Sequence, residues 1–269
     1  MSEMRPVTRD RHGSQRCLRF TNYDFARQDA VAPLVSHEMR RAVLFLATAF
    51  VQRQEHYVLV AVQGLASRRN LLVSADGHWL AGYVPAAYRA YPFALADMDD
   101  GRRVLCVNEG SGLLTQDTSQ GEPFFDDDGT LAKPVAEIME FLSQLRAAQA
   151  ETERACAALK EHALLRPWQI QLKAGAGEPR KVQGLFCIDE AALNALPATG
   201  LAALRDAGAL KMAYAQLLSM QHLPMLGKLA QGTGQSQPQA AQGLRVTPEG
   251  DLDLEFLNKG GTISFGTPG

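Results

Sequence analysis

What this chain lacks narrows its chemistry before any element is placed. Its four cysteines, Cys17, Cys106, Cys156 and Cys187, stand far apart, and no pair has the short spacing of a redox or zinc motif. That pattern predicts reduced, buried thiols of the kind a reducing cytosol maintains. Long hydrophobic runs are missing too. The longest, residues 42–51, is about half the ~20 residues that cross a bilayer, and Arg40, Arg41 and Arg53 bound it. It reads as a core element, and no transmembrane segment is expected.

The chain has no block of Lys or Arg. Its 27 basic and 29 acidic residues leave a net charge of −2, which argues against nucleic acid as a partner. Residues 1–20 are polar and Arg-rich, without the apolar centre of a signal peptide, so a cytoplasmic location is expected. The six histidines include no pair spaced to share one helical face, so neither a zinc site nor a cofactor is expected. Asp97, Asp99 and Asp100 before Gly101, and Asp126 to Asp128 before Gly129, lack the longer ligand series and final Glu of a calcium hand, and read as turns. Ser111 lies between glycines but outside a nucleophile elbow.

What is present suits a folded protein. Hydrophobic residues make up 46% and charged residues 21% of the 269, enough for a sizeable core in one domain of roughly 200 to 250 residues with tails. Residues 1–30 show neither helical nor strand periodicity and read as an irregular arm wrapping the body. Residues 34–54 fit a helix or a strand, and 57–62 a strand. Strand segments 71–73 and 79–83 flank an Asp76-Gly77 turn, a hairpin signal. A short helix over 85–91 should close at Pro92, and a strand over 104–107 follows the Asp100-Gly101 turn.

From 131 to 165 the period changes to that of a helix, carried by Ile138, Phe141, Leu142, Leu145, Ala148, Cys156 and Leu159, with Pro167 beyond its end. Strands over 168–172 and 181–188 form a second hairpin around a Gly-rich stretch. Asp189 caps a short helix, Gly208 stops another over 201–207, and 211–223 makes a third. Residues 31–230 therefore form an α+β domain, mostly antiparallel sheet with hairpins, one long central helix and a C-terminal helical group. Residues 231–243 have linker composition. Leu252, Leu254 and Phe256 alternate with acidic residues in 244–269, where 258–261 offers the turn of a terminal hairpin.

Three stretches, WLAGYVPAAYRAYPF over 79–93, GEPFFDDDG over 121–129 and GLFCIDEAAL over 184–193, occur in this order with the long helix between the last two. Together the chain resembles the bacterial SapC family, over about residues 32–220. It departs from the family's pattern near 42–51, where a Tyr-Pro-containing strand is usual. The resemblance implies an association with surface-layer systems and transfers no catalytic residue. A transporter permease that shares the name needs several membrane spans, which this chain lacks.

Two surfaces stand out as binding candidates. Trp79, Tyr83, Arg89, Tyr91 and Phe93 pack rings and a guanidinium into fifteen residues, the types that dominate binding hot spots; the plainer reading is an aromatic corner with Arg89 in an ion pair. Glu122, Phe124 and Phe125 form the second, since adjacent rings on one strand point to opposite faces. A non-enzymatic binding or accessory protein with a protein partner is the first expectation. An enzyme assembling distant residues such as His78, Arg89, Glu109 or Glu122 is the alternative.

Overall fold

The computed structural model describes residues 3–98, 101–172, 180–232, 245–246 and 252–253. The chain divides into two units, Met1–Gly234 and Gln235–Gly269. The first is α+β, and every strand pairing described in it is antiparallel.

The arm, expected to be irregular, carries short paired elements. β1 (Met4–Pro6) pairs with a strand about a hundred residues away, Met4 opposite Asn108; α1 (Arg9–His12) follows; β2 (Arg16–Cys17) lies between two more distant strands. Then come β3 (Val31–Pro33), α2 (Met39–Ala42), β4 (Thr48–Arg53) and β5 (His56–Val62). The helix-or-strand segment is thus both in turn. β4 and β5 form a hairpin in register from Thr48–Ala61 to Arg53–His56, turning through Gln54 at positive φ. The Asp76-Gly77 turn also forms: Gly77 has φ +84°, and Val73 bridges Trp79.

α3 (Ala86–Arg89), β6 (Phe93–Asp97), β7 (Arg103–Asn108), β8 (Leu114–Thr115) and β9 (Glu122–Pro123) lead to α4 (Lys133–Glu161). Asp99 and Asp100, in the turn between β6 and β7, lie outside the described residues. With 29 residues, α4 is roughly 43 Å long at 1.5 Å per residue, and Pro134 in its first turn costs no helical bond. It ends four residues short of the expected 165, because Ala163 at φ +53° turns the chain into β10 (Leu165–Pro167).

β11 (Ile170–Leu172) pairs with β12 (Arg180–Val182), as the second hairpin requires, while 173–179 lie outside the described residues. Gly184, at φ +84°, breaks the expected strand 181–188, and its second half, β13 (Leu185–Ile188), leaves the hairpin to join the main sheet. α5 (Glu190–Asn194), α6 (Ala198–Asp206), α7 (Ala209–Ser219) and α8 (Leu223–Ala230) finish the unit. Asp189 caps α5 by accepting the Ala192 N–H at 3.1 Å, and Gly208 takes φ +71° between α6 and α7.

The main sheet has the order β10-β13-β4-β5-β3. Phe50, Leu59, Leu159, Leu164, Ile188, Leu204 and Met212 are wholly buried between it, the C-terminal half of α4 and the terminal helices. The β13–β4 ladder stops at Phe186–Phe50, and the Gln216 amide from α7 continues it. It accepts the Ile188 N–H at 2.9 Å and donates to Thr48 O at 3.1 Å. A smaller core, with Phe93, Leu105, Val107, Phe124 and Val135, lies under the sheet β1-β7-β6 and the start of α4.

In the second unit, β14 (Arg245–Val246) pairs with β15 (Leu252–Asp253). This pairing is not the expected one. The proposed turn at 258–261, the strand after it and linker residues 233–243 lie outside the described residues.

Candidate functional site

The residue-rich candidate closes on itself. Trp79 is half-buried, and its indole N–H donates to Tyr83 O at 2.9 Å. The Tyr83 hydroxyl donates to Glu38 Oε1 at 2.8 Å, and burial, then that carboxylate, push the phenol well above its ordinary pKa. Arg89 donates from Nε and a terminal nitrogen to Val84 O, at 3.3 and 3.0 Å, with its guanidinium carbon 5.2 Å from the Tyr83 ring centre. Among the described residues no carboxylate lies within salt-bridge distance of Arg89, so the expected ion pair is replaced by a carbonyl and a ring. Tyr91 is stacked on Phe25, centroids 3.8 Å apart and planes 4° apart, within a cluster that also takes Phe20, Tyr23, Tyr88 and Trp79.

Phe93 and Phe124, both expected at a binding surface, are core residues of the smaller cluster, with ring centres 5.8 Å apart. Phe125 is half-buried and packs against the same cluster, which answers the adjacent-ring problem without a partner. Glu122 faces Arg19 at 3.7 Å in an exposed pair.

Each residue of the enzyme reading has its described partners outside that set. His78 Nδ1 sits 2.7 Å from Asp76 on the surface. Glu109 is held by Arg11 through two bonds, one of 2.7 Å, which keep its carboxyl below the usual range. His12, wholly buried, has Nε2 3.3 Å from the same carboxylate and accepts the Thr8 N–H at Nδ1. Arg11 thereby fastens the arm to the loop after β7, with the buried His12 ring beside the same carboxylate. The Asp126–Gly129 segment is a tight turn, its Gly129 N–H bonded to Asp126 O.

An open cleft lies elsewhere, between α4 and the start of β5. Its narrow part, about 80 Å³, is walled by Leu34, Val58, Leu59, Ala87 and Leu145, with Glu38, Thr152 and Cys156 among its lining. A wider part of about 700 Å³ continues past Tyr57, Val58 and Cys156 to Arg53, Glu55, His56, Glu153, Ala157 and Lys160. His78, Arg89, Glu109 and Glu122 line neither part.

The most buried polar groups of the narrow part, Glu38 and Thr152, are already engaged. Glu38 accepts from Val35 N–H at 3.0 Å, from Ala86 N–H at 2.7 Å and from Tyr83. Thr152 accepts from Ser36 N–H at 2.8 Å and donates to Ala148 O at 2.7 Å. Burial pushes the Cys156 thiol up to about 12, far from a reactive thiolate. Sequence reasoning missed this cleft because its walls come from residues 33–38, 53–59, 87 and 145–161, which meet only on folding; the one hint was an acidic residue, Glu38, beside an apolar segment.

The architecture defines an α+β protein whose long helix bridges two cores and leaves a cleft along the main sheet. A family model, SapC, matches residues 7–226, and the chain belongs to that family. The match takes in the arm from residue 7, with α1 and β2, and begins just after β1. No curated protein and no solved structure matches the chain. Among the described residues, no helix is long and apolar enough to cross a membrane.

Proposed function

We propose that this SapC-family protein is a non-enzymatic binding or accessory protein whose contact surface is the cleft between α4 and β5. The observation that supports it most is the state of the cleft's polar groups. Glu38 and Thr152 have their hydrogen bonds met and Cys156 is held protonated, so the narrow part of the cleft offers apolar wall and open volume around polar groups that the fold already uses. The partner class follows from the family resemblance: a protein of a surface-layer or outer-membrane system.

The test is purification from the native host under mild crosslinking, comparing wild type with Ala157→Arg. Ala157 is exposed on α4 and lines the wide part of the cleft, so an Arg there blocks the opening without entering the core. The expected result is one stoichiometric protein, identified by mass spectrometry, that is lost from the variant. A partner retained by the variant places the contact elsewhere. A protein that comes alone with a bound metabolite overturns the binding reading in favour of small-molecule chemistry.

A further inference from the structure

We infer that the cleft takes an extended, basic polypeptide segment as an added strand on the free edge of β5, with one apolar side chain in the narrow part. This deepens the reading above and rests on it.

The edge comes first. β3 pairs with β5 only through Val31–Val62, Ala32–Ala61 and Pro33–Val60, and the Leu34 N–H then bonds Leu59 O at 3.0 Å. From His56 to Val58 the strand has a ladder partner on its β4 side alone, through Arg53, Gln52 and Val51. A strand edge without a neighbour is a template for main-chain pairing, the mode by which extended peptides join sheets.

The wide part of the cleft lies along those same residues, between them and Glu153, Ala157 and Lys160 of α4. At ~3.3 Å per residue the uncovered stretch is roughly 10 Å long, and because Leu59 O faces the β3 side, the alternation along the strand turns the Tyr57 N–H and C=O to the free edge and those of His56 and Val58 to β4. Beyond Val58 the lining becomes apolar, with Leu34, Leu59 and Leu145, and about 80 Å³ is the scale of one aliphatic side chain rather than a cofactor.

Charge selects the guest. Glu38, Glu55, Glu153 and Glu161 line the combined cleft against only Arg53 and Lys160 as permanent cations, with His56 at the mouth. Lys160 is already bonded to Glu55, at 2.6 Å to its carbonyl and 3.1 Å to its carboxylate. An acidic guest would face Glu153 and Glu161 with little compensation, whereas a basic one is complementary.

The experiment measures fluorescence anisotropy of labelled hexapeptides on the full chain. The probes are alternating Lys-Leu, alternating Glu-Leu, and Lys-Leu with every second amide N-methylated. The expected results are at least tenfold tighter binding of Lys-Leu than of Glu-Leu, at least tenfold weakening on N-methylation, and loss of binding in Ala157→Arg. Lys160→Glu, which leaves the cleft open and adds acid, should tighten Lys-Leu severalfold.

Equal binding of the two compositions, or no effect of Lys160→Glu, overturns the charge selection. Binding untouched by N-methylation overturns strand addition, and no binding of any probe overturns the inference whole. Self-association of the protein that Ala157→Arg abolishes would make the occupant a second copy and overturn it as well. If the native partner is lost from Ala157→Arg while every peptide fails, the cleft remains the contact surface and only the strand-like basic guest is rejected.

Discussion

The aromatic corner around Trp79 and the cleft along β5 share a wall at Glu38, yet they use their residues in opposite ways. The corner has the side chains that dominate binding hot spots, and it spends their polar ends internally: indole on carbonyl, phenol on carboxylate, guanidinium on carbonyl. The cleft is walled by Leu34, Val58, Ala87 and Leu145 and keeps open volume. Rings and Arg serve equally well to cement irregular chain, because each contributes large area and a directional bond. Room for a partner comes instead from topology, here from a β3 too short to cover β5.

Glu38 allows the hardest test of that contrast, since it belongs to both regions. It is 8% exposed and receives three donors, so Glu38→Leu strands Val35 N–H, Ala86 N–H and the Tyr83 hydroxyl. A loss of about 4 kcal/mol in urea unfolding is expected, from removing one side of a buried charge-assisted network. A loss under about 1 kcal/mol would mean that the corner and the cleft wall are not joined through this carboxylate.

Gln216→Leu is expected to come next, at about 3 kcal/mol. It leaves the Ile188 N–H and Thr48 O without partners inside the sheet, each a buried group costing roughly 1–3 kcal/mol. The main sheet would then weaken at β13, while the smaller core under β6 and β7 keeps its contacts. Hydrogen exchange should show faster opening at Ile188 and unchanged protection at Val107. Equal loosening of both cores would show that α4 couples them into one cooperative unit.

A milder change, Trp79→Phe, deletes one indole bond and keeps a ring. The expectation is a loss of about 1 kcal/mol with partner capture intact. If capture fails while stability holds, the corner and not the cleft is the contact surface, and the contrast is reversed.

How much of this was legible depends on the distance over which each element is stabilised. The periodicity of Ile138, Leu142, Leu145, Cys156 and Leu159 marked α4 to within a few residues because the pattern is local and long. β5 and β7 showed as apolar runs, while β4 lay inside a segment that fitted a helix or a strand equally. β1 and β2 did not: Met4 pairs with Asn108 and Arg16 with Thr115, so two or three residues owe their conformation to partners far along the chain. Gln216 and Ser219 carried a faint signal, as polar residues on the buried face of α7 beside Met212 and Ala213. The corner was visible as composition, but that the polar ends of Trp79, Tyr83 and Arg89 were already taken is a property of the fold.

The smallest effect concerns whether the corner is as closed as its bonds imply. The single Tyr88 phenolic proton faces two acceptors, Asp29 Oδ2 at 3.0 Å and Gln63 Oε1 at 2.8 Å. Gln63 is fixed as an acceptor by the Asn70 amide at 3.0 Å, and Asn70 is itself fixed by the Leu72 N–H at 2.9 Å. An ionised Asp29 therefore competes with Gln63, whereas a protonated Asp29 donates to the phenol oxygen and completes the chain. Burial holds the Asp29 carboxyl above its ordinary range, against the opposing effect of the Tyr88 bond. The nearby cations are engaged elsewhere, Arg27 on Asp24 and Ser74 O and Arg68 on Gln28. Because the folded pKa exceeds the unfolded value of about 3.9, the stabilisation is complete below that pH and is lost as pH rises through the folded value. Asp29→Asn carries no such proton. The stability of wild type minus that of the variant should decline from pH 4 upward and level off above the folded pKa, read from urea midpoints at unit pH steps. Parallel curves would mean that Tyr88 gives its proton to Gln63 at every pH, leaving Asp29 as a free carboxylate at the edge of the aromatic cluster. The corner would then have one unspent charge to offer a ligand, and its contrast with the cleft would narrow.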